Sequence, residues 1–189
     1  MINSTLISLS FFLITFLSSA QGISDQVNNQ LAALVANNEL LLEDIQWELS
    51  SDHISSTSGV HHIYYSQIFN DIEVFGSQSS LHILEDGTVL SATNNFIFKI
   101  TAKLKNSINT SLTAVQAIQS AANQLQYSIT NELSVLESFA GVSQRQIISN
   151  GGMSLSPIPA KLMYQLVDDQ LKLVWNLSIQ EKSQKNWWN

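Results

Sequence analysis

The sequence predicts an α+β fold built as two small modules, each a helix packed on an antiparallel sheet. Three observations carry this reading. Gly59 to Asn95 is a run rich in β-branched and aromatic residues, interrupted by two tight-turn signals, Asn70-Asp71 and Asp86-Gly87. An amphipathic helical pattern precedes that run. A second helical pattern at 112–125 is followed by strand-like alternation as far as Ile179. A helix followed by a meander of antiparallel strands, twice over, makes an α+β chain.

Residues 1–20 read as a secretory signal. The apolar run from Leu6 to Leu17 is too short to span a bilayer comfortably, and Ser18-Ser19-Ala20 offers small residues before a cut at Gln21. No Lys or Arg precedes the apolar run, and an uncleaved anchor is the alternative reading. The first module is then 21–101, a polar linker 102–111 and the second module 112–189. No later apolar run reaches spanning length, so the chain beyond the signal is expected in an extracytoplasmic space, secreted or periplasmic, and off the membrane.

In the first module, Val27, Leu31, Leu34 and Val35 share one face of a helix from Ser24 to about Asn38, with Ser24 as cap and Asn37-Asn38 as stop. Leu40 to Asp44 reads as a turn, Ile45 to Ser50 as a strand, and Ser50 to Ser58 as a polar loop. Tyr64 to Phe75 reads as a hairpin about Asn70-Asp71. A two-residue type I′ turn at Asp86-Gly87 would set Leu84 opposite Val89, Ile83 opposite Leu90 and Leu81 opposite Ala92. Leu81, Ile83, Leu90 and Ala92 would then form one buried face. Phe96 to Thr101 is expected to extend this sheet.

In the second module, Thr113 and Gln116 form a capping box, with Leu112 placed to staple against Ala117. Val115, Ile118, Ala122 and Leu125 form the apolar stripe. Tyr127 to Val142 fits either a helix or a broken strand. Gln146 to Ser149 reads as a strand ending in the turn Asn150-Gly151-Gly152. Pro157 and Pro159 open a long strand in which Ile158, Ala160, Leu162, Tyr164 and Leu166 alternate with polar or flexible residues. Asp168-Asp169-Gln170 reverses the chain, and Leu171, Leu173, Trp175, Leu177 and Ile179 alternate on the return.

Composition excludes several functions. The net charge is −7 with only eight basic residues, which argues against nucleic acid. There is no cysteine, so disulfides, zinc-thiolate sites and cysteine nucleophiles are ruled out. A cysteine-free exported chain leans toward a bacterial source. No H-E-x-x-H occurs, and no G-x-S-x-G. His61 and His62 are neighbours on a strand and point to opposite faces, so they do not chelate together. His62 with His82 on a neighbouring strand is a conceivable metal pair, but hydrogen-bonded sheet histidines are the simpler reading. The pairs Glu43-Asp44, Glu85-Asp86 and Asp168-Asp169 sit at turns and read as solvated turn carboxylates.

Gly59, His62, Tyr64, Gln67, Asn70, Ile72, Val74 and Phe75 fall at the spacing G-V-x-H-x-Y-x-x-Q-x-x-N-G-I-x-V-F. This resembles the fungalysin/thermolysin propeptide (FTP) domain, closest to the pro-region of fungalysin-type secreted zinc metallopeptidases. Asp71 stands where that family has Gly, which points to a strained first turn or one of another type. By spacing, His62 and Tyr64 share one sheet face and Gln67 lies on the other unless a bulge intervenes. They fit either a peptidase contact or a polar network that fixes the fold.

The second half is similar to a PepSY-like, cystatin-like module, through Tyr164-Gln165, Leu173-Val174-Trp175 and Trp187-Trp188. In the family a further strand follows the W-W, so the resemblance implies a module lacking its last strand, with an unpaired edge near Leu171–Ile179. It also implies a non-catalytic propeptide, a chaperone and inhibitor whose partner is the cognate peptidase catalytic domain. No cofactor of its own is implied, zinc belonging to the catalytic half. A stand-alone exported binding protein or peptidase inhibitor of the same fold is the alternative.

Overall fold

A computed structural model describes residues 22–104, 111–182 and 187–188. The signal-like run 1–20 and part of the expected linker lie outside the described residues. Helix α1 covers 22–36 and buries Val27, Leu31 and Leu34. Residue 22 is already helical, so Ser24 lies inside the helix rather than at its cap. Ile23, four residues before Val27, extends the apolar stripe and packs against the same core. The helix ends as Asn37-Asn38 predicts. Asn38 takes φ 59, its N–H donates to Val35 O at 3.0 Å, and that of Glu39 donates to Leu34 O at 2.9 Å. Together these form a Schellman closure with Asn in the left-handed position.

The first sheet contains β1 (Trp47–Ile54), β2 (His61–Phe69), β4 (Ser79–Ile83) and β5 (Val89–Thr93) in the order β1-β2-β4-β5. The short β3 (Ile72–Glu73) folds back on β2. Strand β1 runs four residues past Ser50, after a bulge between Leu49 and Ser51, so much of the expected loop is strand. Both faces of that polar half are exposed, which removes the alternation that marks a strand in sequence.

The turn at Asn70-Asp71 is a two-residue hairpin joining Phe69 to Ile72. Both central residues have positive φ, 49 and 60, as type I′ requires. The turn therefore keeps its type without Gly; Asp71 accepts the left-handed region at about 1 kcal/mol.

At Asp86-Gly87 the structure corrects the register. Leu84 N–H donates to Thr88 O at 2.9 Å, and Gly87 N–H to Leu84 O at 2.9 Å. The loop is therefore three residues long, a type I turn followed by Gly87 at φ 86. Leu81 pairs with Ala92 as expected, but Ile83 pairs with Val89, and Leu90 is the extra residue of the bulge. Leu81 and Ile83 are buried, whereas every residue of β5 is exposed. A helix about 10 Å wide covers two strands spaced about 4.8 Å apart. Here α1 packs over β2 and β4 and leaves β5 bare.

Phe96 to Lys99 does not extend the sheet. It leads instead into the short helix α2 (Ile100–Lys103), and Leu104 bridges to Leu171. The second module opens with α3 (Ala114–Gln124), whose capping box forms as the sequence predicts. Gln116 N–H donates to Thr113 Oγ1 at 3.2 Å and Thr113 N–H to Gln116 Oε1 at 2.9 Å. The helix packs on an antiparallel sheet of β6 (Val135–Ser138), β7 (Gln146–Ile148), β8 (Ile158–Val167) and β9 (Gln170–Leu177), in that order. Tyr127 to Val142 thus resolves into a loop and the exposed edge strand β6. Trp187-Trp188 forms a short strand, β11, paired with β10 (Ile179–Gln180). In β8, Leu166 is exposed and Met163 is buried, both against the expected alternation.

Three cores result. One lies between α1 and the first sheet, and one between α3 and the second. The third joins the modules and contains Ile72, Val74, Ile100, Tyr164 and Leu171. Each such fully buried aliphatic side chain stabilises by about 1.5–3 kcal/mol.

Tyr65 sits in the first core, fully buried, with no hydrogen-bond partner for its hydroxyl. Burial pushes its pKa up to about 12. The folded state therefore holds a proton that the unfolded chain releases near pH 10. The stability from keeping this phenol neutral is complete below that pH and is lost as pH rises toward 12. We expect alkaline unfolding to follow this window in denaturation curves, and Tyr65→Phe to remove its share of the pH dependence.

Candidate functional site

The eight motif residues divide by position into turn formers, a joint between the modules and an outer sheet face. Gly59 holds φ 70 in the turn that joins β1 to β2, where its N–H donates to Ser55 O at 2.9 Å. Space around it is open, the nearest atom to an added Cβ being 4.0 Å away, so conformation alone favours glycine. Asn70 holds φ 49 in the hairpin turn.

Gln67 lies on the core face with Ile63 and Tyr65, opposite His62 and Tyr64, as period-2 spacing predicts. It is fully buried. Its Nε2 donates to Asp44 O at 2.8 Å and Ile97 O at 3.2 Å, and its Oε1 accepts from Ile97 N–H at 2.8 Å. One side chain thus pairs with both backbone groups of Ile97, as a neighbouring strand would. Its own N–H donates to Ser77 Oγ at 2.9 Å, and Ser77 donates to Val74 O at 2.7 Å.

Asp44 completes this network and corrects the reading of Glu43-Asp44 as solvated. Glu43 is exposed, but Asp44 is fully buried. Its carboxylate accepts three backbone N–H groups: Leu41 at 2.8 Å, Lys99 at 3.0 Å and Ile100 at 2.9 Å. Two of these are orphan donors at the start of α2, whose own flanking residue, Lys99, gives no side-chain cap. The bond from Leu41 is local, but nothing in the sequence marks Asp44 as buried, because its other two partners, Lys99 and Ile100, lie more than fifty positions away.

Ile72 and Val74 are buried in the third core, and Val74 bridges in parallel to Tyr164 of β8. Phe75 N–H donates to Tyr164 O at 2.7 Å. The ion pairs Lys161–Glu73 and Lys103–Asp169 hold the same joint from its rim. The Phe75 ring is 46% exposed and lines a groove of about 410 Å³ with Met163, Val174, Trp175 and Leu125. Gln67, Ile72, Val74 and the Phe75 backbone therefore act together in the joint.

His62 and Tyr64 belong to the outer face. The longer β1 places His53 directly opposite His62, and β4 places His82 on the other side of it. His62 Nδ1 and His82 Nδ1 are 2.8 Å apart. The His53 ring stacks on His62 at 4.9 Å, and Tyr64 stands edge-on to His82 at 5.9 Å. Desolvation lowers the pKa of His62, and the neighbouring His82, His53 and His61 lower it further. His61 points to the opposite face, where it meets Asp52 at 3.0 Å. Sequence spacing identified His62 and His82 as neighbours but missed His53, which fell in a stretch read as loop.

Comparison with known proteins follows the same residues. The family described as Fungalysin/Thermolysin Propeptide Motif matches residues 46–96. An extracellular metalloproteinase MEP of Leptosphaeria maculans is 29% identical over 86% of this chain and 24% of its own length. An extracellular metalloproteinase of Pyrenophora tritici-repentis is 25% identical over 92% of this chain and 27% of its own. Extracellular metalloproteinase 3 of Arthroderma gypseum is 26% identical over 67% and 20%. The chain spans about a quarter of the length of these curated relatives. The similarity is consistent with the propeptide region of fungalysin-type enzymes. These relatives are fungal, and the lean toward a bacterial source finds no support among them.

Proposed function

We propose that this chain is a non-catalytic pro-region of a secreted fungalysin-like zinc metalloendopeptidase, assisting the enzyme's folding and holding it inactive until cleaved. The match to the propeptide motif over 46–96 carries the reading. Its partner is the cognate catalytic domain, which holds the zinc; the pro-region needs no cofactor of its own. The second module is a PepSY-like unit, a reading supported by the packing of α3 on a four-stranded antiparallel sheet.

The physical route to inhibition is coverage of a cleft by a rigid surface. Outer strands supply it: β5 with Val89 and Leu90 exposed, and β9 beside the Phe75 groove. An exposed sheet edge of this kind takes an added strand from a partner. The expected result is dose-dependent loss of peptide hydrolysis when the purified chain is titrated into an active fungalysin-type peptidase. A folded chain that leaves hydrolysis unchanged would overturn the inhibitory role.

A further inference from the structure

We propose that the imidazole row on the outer face of the first sheet is a binding site for a tetragonal first-row divalent metal ion, Cu²⁺ foremost, through His62 and His82 with His53 as third ligand. The observation is positional. His53, His62 and His82 occupy three adjacent strands at directly paired positions, so their side chains rise from the same face in one line. The two nearest nitrogens, Nδ1 of His62 and Nδ1 of His82, stand 2.8 Å apart. Two nitrogens bound to one ion at about 2.05 Å stand about 2.9 Å apart at a right angle and about 3.3 Å apart at the tetrahedral angle. The observed spacing fits the right angle, the geometry that Cu²⁺ and Ni²⁺ prefer, and Cu²⁺ binds nitrogen sites most tightly of the series.

Neutral imidazoles here share one hydrogen atom between the two nitrogens. For an ion to replace that hydrogen bond with two metal–nitrogen bonds, the donor ring gives up its Nδ1 proton to water and takes one up at Nε2, so that both rings stay neutral. Among the described residues no three His, Asp or Glu side chains already converge on one point. The third ligand therefore arrives by rotation: His53 is exposed, sits on the edge strand β1 and stacks loosely on His62. Water fills the remaining positions on the open side. His61 takes no part, since it faces the other way and is held by Asp52. The inference stands independently of the pro-region reading.

The test titrates Cu²⁺ into the purified chain carrying no histidine tag, followed by calorimetry and by electron paramagnetic resonance. The expected result is saturable binding with nitrogen hyperfine structure from two or three imidazoles. His82→Gln should weaken it by about tenfold or more, since even groups that merely support a ligand contribute that much. His53→Ala, at an exposed side chain with little role in folding, should weaken binding less and remove one nitrogen from the spectrum. His61→Gln should leave both unchanged. Circular dichroism confirms that each variant is folded. No saturable binding by the folded parent chain, or a bound-ion spectrum showing fewer than two nitrogens, would overturn the site. Equal weakening by His61→Gln and His82→Gln would overturn it as well.

Discussion

Replacing Gln67 by Met should destabilise the chain by about 3–5 kcal/mol, although the two side chains are similar in volume. The expectation rests on counting partners rather than on packing. The Gln67 amide satisfies Asp44 O, Ile97 O and Ile97 N–H, and Gln67 is fully buried. Methionine leaves all three backbone groups without that partner, each at about 1–3 kcal/mol before relaxation. Gln67→Glu should also be harmful, because a carboxylate can still accept from Ile97 N–H but opposes two carbonyl oxygens. Urea denaturation of parent and variant measures the effect. A loss below about 1 kcal/mol for Gln67→Met would show that water or rearrangement replaces the amide, and that the network does not fix the joint.

The difference between Gln67 and its surroundings shows what a sequence discloses. Patterns that complete themselves within a few residues were legible: the Thr113/Gln116 capping box, the Asn37-Asn38 stop, the Phe69–Ile72 hairpin. Face assignments by alternation held where a helix covers one side of a strand, as with Gln67 on the face opposite His62 and Tyr64. They failed where neither side or both sides are covered. The polar end of β1 and all of β5 are exposed on both faces, so no period distinguishes them from loop or from core. Met163 is buried on the face opposite Leu162, so alternation misplaces it. The loop at Glu85–Gly87 differs from a two-residue turn by one residue, and both readings use Gly87 in the same left-handed conformation. The candidate site divides in the same way. His62 and His82 could be paired from spacing, but His53 required knowing that β1 continues past its bulge.

Asp44→Asn, a nearly isosteric change, should cost about 2–4 kcal/mol and act first on α2. The carboxylate offers only acceptors, and all three of its partners are N–H donors: Leu41, Lys99 and Ile100. An amide must turn its NH₂ toward at least one of them. Charge-assisted bonds to backbone N–H groups are also about twice as strong as neutral ones. The consequence is local before it is global. Lys99 and Ile100 lead α2 into the third core, where Ile100 is fully buried beside Tyr164 and Leu171. Loosening that helix start should weaken the joint between the modules while leaving the α3 core intact. Hydrogen exchange checks this directly: the Lys99 and Ile100 amides should lose protection well before those of Ile118 and Ala122. If protection falls equally everywhere, Asp44 contributes to stability in general and does not clamp the joint. If it falls at α2 alone, the same variant separates two requirements of the proposed pro-region. A chain whose modules fold but whose joint is loose should inhibit a fungalysin-type peptidase less well, provided the inhibitory surface depends on the two modules being held in register.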